Sequence, residues 1–213
     1  MRIPLKNQLR GQQAALAQLQ DEALDIFYSV EPEAVLHGGT AIWRCYQGKR
    51  FSEDLDFYAS ANKGLRTALE GEAAKRGLSV SKFRKTQNSV YARISDGRTD
   101  VSVEVSPLRK KNRVLAAFEK ADGSHTDIYT LSPEDLIVEK ANAFAGRRLI
   151  RDIYDVYFLS GIANPSVVKM KLRTAIEKLP QPVDEKNLRT LIYAGVVPSF
   201  NEMVQALEWR LRP

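Results

Sequence analysis

The stretch from Leu78 to Ser106 leaves the chain few choices. "LSVSKFRK", "SVYARIS" and "DVSVEVS" read as three successive strands, and the last alternates cleanly between apolar and polar residues. Asp96-Gly97, between the second and third, is a hairpin signal, because these residues tolerate the left-handed backbone of a tight turn. The chain should therefore contain a sheet. In the third segment Val101, Val103 and Val105 take one side, while Asp100, Ser102, Glu104 and Ser106 take the other.

The flanking segments supply cover for such a sheet. Gln8 to Val30 carries Leu9, Ala15, Leu16, Leu19, Ala23 and Leu24 near helical spacing and gives way before Pro32. "AVLHG" (Ala34 to Gly38) reads as a strand, "TAIWRCYQ" (Thr40 to Gln47) as a short helix and "LDFYA" (Leu55 to Ala59) as another strand. Lys63 to Arg76 reads as a helix stopped by Gly77. "NRVLAAFEK" and "HTDIYTLS" suggest a further strand pair about Asp122-Gly123. Ser132 then opens a helix as its N-cap, with Pro133 at the first helical position and Asp135 three residues on. Beyond it the chain reads as helices broken at Gly161, Pro165, Pro180, Pro182 and Pro198. The expected division is an α/β region over residues 1–130 and a helical region over 131–213, packed together.

Composition narrows the function classes. The single cysteine, Cys45, excludes an internal disulfide and any multi-cysteine metal site, and suits a reducing cytoplasm. No apolar run approaches the roughly 18 residues of a membrane span, and "MRIPLKNQLRGQQ" lacks the apolar region of an export signal. A cytoplasmic protein without membrane contact is expected. Lys and Arg exceed Asp and Glu by 32 to 26, a charge of +6 that favours polyanionic partners such as RNA or DNA. Basic residues gather at Lys82, Arg84 and Lys85, at Arg109, Lys110, Lys111 and Arg113, and at Lys169, Lys171 and Arg173. Such runs are more often solvated faces than binding sites.

"SEDLDF" places Asp54 and Asp56 on one side of a strand, with Leu55 and Phe57 on the other. Alone, this is an exposed acidic pair. Glu104 can stand beside it if the strands are neighbours, and three converging carboxylates make a hard-oxygen site suited to Mg²⁺ or Mn²⁺. With only His37 and His125 as histidines, zinc is disfavoured. Upstream, Gly38-Gly39-Thr40 opens the short helix and offers backbone N–H groups and a hydroxyl to phosphate oxygens. By itself it is equally a tight turn. Lys140 sits amid Leu136, Ile137, Ala141 and Phe144, where a lysine ordinarily snorkels outward but could also reach a triphosphate. Asp152 and Asp155, with Arg148 and Arg151 on the same helix side, could be a structural ion-pair cluster or part of the same site.

Taken together, "GGTAIW…RFSEDLDF" resembles the signature of the nucleotidyltransferase superfamily, and more narrowly the AbiEii/AbiGii (MenT-like) toxin family. There a Gly-Gly-Thr-Ala turn precedes Arg-x-Ser-x-Asp-hydrophobic-Asp-hydrophobic, matched here by Gly38 to Ala41 and by Arg50, Ser52, Asp54, Leu55, Asp56 and Phe57. The family's second block, a helical Lys, an Arg-containing turn and Arg-Asp-x-Tyr-Asp, is matched by Lys140, Arg147 or Arg148, Arg151, Asp152, Tyr154 and Asp155. The chain departs from the pattern in having Glu as the third acid and His37 before the glycines. The resemblance implies a nucleotidyltransferase-type mixed β-sheet flanked by helices, an α/β (α+β) fold, followed by a C-terminal helical bundle. It implies that Asp54, Asp56 and Glu104 hold Mg²⁺ or Mn²⁺, with Lys140 and Asp152 also catalytic. Gly38, Gly39, Thr40, Arg50, Ser52, Lys140, Arg148, Arg151 and Asp155 would bind the nucleoside triphosphate. The implied activity is nucleotidyl transfer to RNA, foremost the tRNA 3′ end, by a toxin restrained by an antitoxin. A transferase acting on a protein or small molecule, a kinase-like phosphate transfer and a non-catalytic nucleic-acid-binding module remain open alternatives.

Overall fold

The computed structural model describes residues 3–60, 64–107, 112–176 and 179–211. The elements run α1 (Leu5–Gln8), α2 (Gln12–Val30), β1 (Val35–His37), α3 (Gly38–Cys45), β2 (Leu55–Ala59) and α4 (Leu65–Lys75). Then come β3 (Ser79–Lys85), β4 (Val90–Ser95), β5 (Asp100–Pro107), β6 (Arg113–Glu119) and β7 (His125–Leu131). Helices α5 (Pro133–Arg147), α6 (Ile150–Leu159), α7 (Pro165–Ile176), α8 (Leu188–Leu191) and α9 (Phe200–Leu211) close the chain, with a 3-10 turn at Glu185–Asn187 before α8.

Among the described residues the strands form one mixed sheet in the order β3-β4-β5-β2-β1-β7-β6. The alternation read from the sequence sets its two faces. Leu55, Phe57, Val101, Val103 and Val105 are fully buried, and Phe27 of α2 stacks on Phe57 with ring centroids 4.2 Å apart. Helices α2 and α4 thus cover the first face. On the second face α5 lies over β1 and β2: Tyr58 of β2 donates to Glu139 of α5 at 2.5 Å. The β3–β5 part of that face is open, because alternate residues of β4 and β5 are buried while those between them are not. One hydrophobic cluster runs from Phe27 of α2 through the sheet to Phe144 of α5, Ile153 of α6 and Leu207 of α9.

Most elements fall within a residue or two of their expected positions, and Ser132 caps α5 by accepting from Asp135 N at 3.2 Å. The N-terminal helix differs. Gly11 adopts φ +50°, outside the right-handed helical region, and splits the segment into α1 and α2. The α3 helix starts at Gly38, two residues before Thr40, so both glycines belong to its first turn. Lys63, Arg109, Lys110 and Lys111 lie outside the described residues. Arg113 is engaged by Glu33 at 2.6 Å and by the Tyr129 ring, its guanidinium 4.0 Å from the centroid. No described helix is long and apolar enough to cross a membrane.

Candidate active site

The sheet register assembles the site. His37 pairs with Asp56, Asp56 with Glu104, and Glu104 with Tyr91, so one row crosses β1, β2, β5 and β4. Paired residues on adjacent strands share a face, which puts the Asp56 and Glu104 carboxylates side by side on the face away from α2. Asp54 precedes β2 by one residue and joins them at the same cleft. The expectation that the acids would stand on neighbouring strands is met because β2 and β5, far apart in sequence, run parallel.

The loop carrying Asp54 is pinned from both sides. Thr40, fully buried, donates its hydroxyl to Asp54 O at 2.6 Å. Gln20 of α2, also fully buried, donates its amide to Ser52 O and Glu53 O, both at 2.9 Å. The glycines make room for this packing. Gly38 has φ +74°, and a Cβ there would overlap the Asp56 carboxylate. A Cβ on Gly39 would come within 2.5 Å of both Arg50 Nη2 and Ser52 Oγ. Glycine is therefore required by close approach of the acidic loop, a constraint that any bound phosphate would meet in addition.

The cleft is also cationic. Arg50, Lys140, Arg147 and Arg151 line it, together with Gly39 and Ser52. Three of them, Arg50, Lys140 and Arg147, are held by two buried carboxylates of α6. Asp155 accepts from Arg50 Nε at 2.9 Å and Nη2 at 2.8 Å, and lies 3.1 Å from Lys140 Nζ. Asp152 accepts from Arg147 Nε and Nη2, both at 2.7 Å, with Lys140 Nζ 3.8 Å away. Such two-point Arg–carboxylate pairs fix orientation as well as charge.

Asp155 and the pair Asp56 and Glu104 are in opposite electrostatic states. Burial would raise the Asp155 pKa, but Arg50 and Lys140 outweigh it and hold the carboxyl below its ordinary value. Burial raises the Asp56 pKa, and although His37 and Lys140 oppose this, Asp54 and Glu139 add to it. Glu104 is raised too, by burial first and then by Asp56 and Asp54. Asp155 is thus satisfied by the protein itself, whereas Asp56 and Glu104 crowd negative charge that His37 and Lys140 offset only in part.

This donor set fits a hard divalent cation: all oxygen, converging on one cleft and mutually repulsive. Among the described residues no group of three His, Cys, Asp or Glu side chains is drawn together tightly enough to hold an ion as it stands. The carboxylates line an open cleft without forming a closed cage.

Several sequence expectations change in detail. Thr40 was expected to face the nucleotide, but its hydroxyl is spent on Asp54 O, so it positions the acidic loop. Asp152 and Asp155 are buried behind the cations and orient Lys140, Arg50 and Arg147, so neither reaches the cleft itself. Arg147 lines the cleft and Arg148 does not, because Arg148 takes the left-handed conformation (φ +54°) that ends α5. Gly39, Arg50, Ser52, Lys140 and Arg151 do line it. Gln20 escaped the sequence reading, since a glutamine within an amphipathic helix carries no mark of its partner. His37 stacks on Tyr58 at 3.8 Å between centroids and places Nδ1 3.3 Å from Glu139 Oε2.

Comparison with known proteins places the chain in a family and identifies others of similar fold. The family model of the AbiEii nucleotidyl transferase toxins, of type IV toxin–antitoxin systems, matches residues 24–198. Among solved structures the chain is similar to MenT4, a nucleotidyltransferase toxin from Mycobacterium tuberculosis. The two share 19% identity with a TM-score of 0.64, over 94% of this chain and 82% of that one. It is also similar to JHP933 from Helicobacter pylori, at 18% identity and a TM-score of 0.65, over 95% of this chain and 91% of that one. At these identities the likeness is one of fold. No curated protein matches the sequence.

Proposed function

The chain belongs to the AbiEii family of nucleotidyltransferase toxins, and from that premise we propose that it transfers a nucleotide from a nucleoside triphosphate to RNA, foremost the 3′ end of tRNA. The proposed setting is the cytoplasm, with a cognate antitoxin as restraint and blocked translation as the result. What supports this reading is one cleft lined by three carboxylates, Asp54, Asp56 and Glu104, and four cations, Arg50, Lys140, Arg147 and Arg151. That combination suits a triphosphate whose reacting end meets the acids and whose leaving end meets the cations.

Asp54, Asp56 and Glu104 would hold Mg²⁺ or Mn²⁺, which when bound supplies Lewis-acid polarisation of the phosphate and of the attacking hydroxyl. In the proposed reaction the acceptor hydroxyl oxygen bonds to the α-phosphorus, the α–β anhydride bond breaks, and pyrophosphate departs with the bond's electron pair. Glu104 is the exposed acid of the row, and its raised pKa equips it to take the hydroxyl proton. Lys140, Arg147 and Arg151 offset the charge that builds on the leaving phosphates, and the Gly39 backbone leaves space for them. Arg50 is tied to Asp155, so it acts chiefly by holding the Ser52–Asp54 loop against α6.

The test is to incubate the protein with total tRNA, Mg²⁺ and NTPs labelled at the α or the γ phosphate, beside an Asp56→Asn variant. Label on RNA from the α position, absent with the variant, is expected. Label delivered from the γ position, or to protein alone, would replace this reading with one of the alternative transferases. Equal growth arrest by parent and variant on expression would remove the catalytic reading altogether.

A further inference from the structure

The row that holds Asp56 and Glu104 continues past them onto the open part of the sheet. Tyr91 of β4 is the register partner of Glu104, and Arg84 of β3 is the partner of Tyr91. Beside them Lys82 pairs with Arg93, and Arg93 with Ser102. The cations reach this face through a local irregularity. Val80 pairs with Ile94 on the buried side, then the register shifts at Ser81, so that Lys82 meets Arg93 and not Ala92. Such a bulge re-aims every later side chain. Without it Lys82 and Arg84 would point toward α4 and Phe83 toward solvent.

Tyr91 is built as a fixed surface. Its hydroxyl shares a hydrogen bond of 3.1 Å with Ser102 Oγ and accepts from Arg93 Nε and Nη2 at 3.2 and 3.0 Å. Lys82 Nζ stands 5.3 Å from its ring centroid. Arg93 pairs loosely with Asp100, at 3.6 Å, and the patch meets the acid row through the register pair of Tyr91 and Glu104. An oriented aromatic ring among cations, paired in register with an acid of the cleft, matches single-stranded nucleic acid. Bases stack on aromatic rings and phosphates follow cations.

We infer that the open face of β3–β5 is the acceptor platform: the terminal base of a single-stranded polynucleotide stacks on Tyr91, its phosphates lie along Lys82, Arg84 and Arg93, and its terminal hydroxyl is delivered to Glu104. This deepens the transfer reading above and rests on it for the role of Glu104.

The experiment uses the full chain and a 5′-fluorescein single-stranded RNA oligonucleotide, with affinity read by anisotropy and transfer read by α-labelled NTP. Tyr91→Ala should weaken oligonucleotide binding and raise the KM for RNA by roughly five- to a hundredfold, the effect of losing one stacked base. The KM for NTP should stay within about twofold, and Tyr91→Phe should restore binding. Lys82→Ser combined with Arg84→Ser should flatten the dependence of log affinity on log salt by about 1.4, roughly 0.7 for each phosphate no longer neutralised. Unchanged binding by Tyr91→Ala, a Phe variant as weak as Ala, or loss explained by a lowered melting temperature would overturn the platform. So would capture of an acidic peptide such as poly-glutamate in place of RNA, which would assign the face to a protein partner. Tyr91-dependent RNA binding without label transfer would leave the platform standing and sink the transfer reading. Transfer to RNA indifferent to Tyr91 would do the reverse.

Discussion

Replacing Asp155 with alanine separates what the protein needs to fold from what it needs to react. The carboxylate is 1% exposed, takes two hydrogen bonds from Arg50 at 2.9 and 2.8 Å, and lies 3.1 Å from Lys140 Nζ. Its removal leaves two cations of like sign, both buried, with Asp152 as the only nearby acid of α6. Breaking one side of a buried pair costs about 3–5 kcal/mol. For a chain of this length each kcal/mol is about 2–4 °C in Tm, so Asp155→Ala should melt roughly 6–20 °C lower. Asp155→Asn, which keeps one accepting oxygen, should fall between it and the parent. Asp155→Leu combined with Arg50→Met should be more stable than Asp155→Ala alone, because no charge on Arg50 is then stranded. Thermal and urea unfolding followed by circular dichroism at neutral pH read the melting temperatures and the free energies. Tripolyphosphate should recover part of the loss in Asp155→Ala, since the freed Arg50 and Lys140 line the cleft. If Asp155→Ala unfolds within about 1 kcal/mol of the parent, or the double variant is no better than the single one, the α6 acids do not position the cations.

Three further perturbations test other parts of the site. Gly38→Ala forces a Cβ into the Asp56 carboxylate at φ +74°; steady-state kinetics should show kcat lower by about a hundredfold, the scale of a misplaced reacting group. Thr40→Val removes the donor to Asp54 O and should cost about 1 kcal/mol in unfolding free energy and lower kcat, while Thr40→Ser should retain both. The third is pH. Raised pKa values at Asp56 and Glu104 mean that the folded state binds protons more tightly than the unfolded one. Stability without cation should therefore fall as pH rises from the ordinary carboxylate range through the raised values, and Asp56→Asn should blunt that fall. Affinity for Mn²⁺, measured calorimetrically, should climb across the same window, and a flat profile would contradict the electrostatic picture.

Alternation is a local property, so the strands around Val90 and Val103 and the polar side carrying Glu104 could be read from the sequence alone. The Ser132 cap was legible for the same reason: its signal lies within four residues. Register is not local. That Asp56 faces Glu104 depends on a parallel pairing between strands separated by α4 and a hairpin, and nothing near either residue declares it. Side-chain roles were lost in the same way. Thr40 and Asp155 sit in motifs associated with nucleotide binding, yet each meets a protein group first, and only the packed structure reveals which. The choice between Arg147 and Arg148 turned on one residue's left-handed backbone at a helix end without glycine. Gln20 carried no signal at all, because its partners are backbone carbonyls of a loop 32 and 33 residues away.

The most direct measurement follows both products of one turnover. With purified tRNA, Mg²⁺ and an excess of a single NTP, the RNA should gain the mass of one or more nucleoside monophosphates at its 3′ end. One pyrophosphate should be released for each nucleotide added, and Asp56→Asn should produce neither. An RNA of unchanged mass while orthophosphate or nucleoside diphosphate accumulates would contradict nucleotidyl transfer to RNA at this cleft.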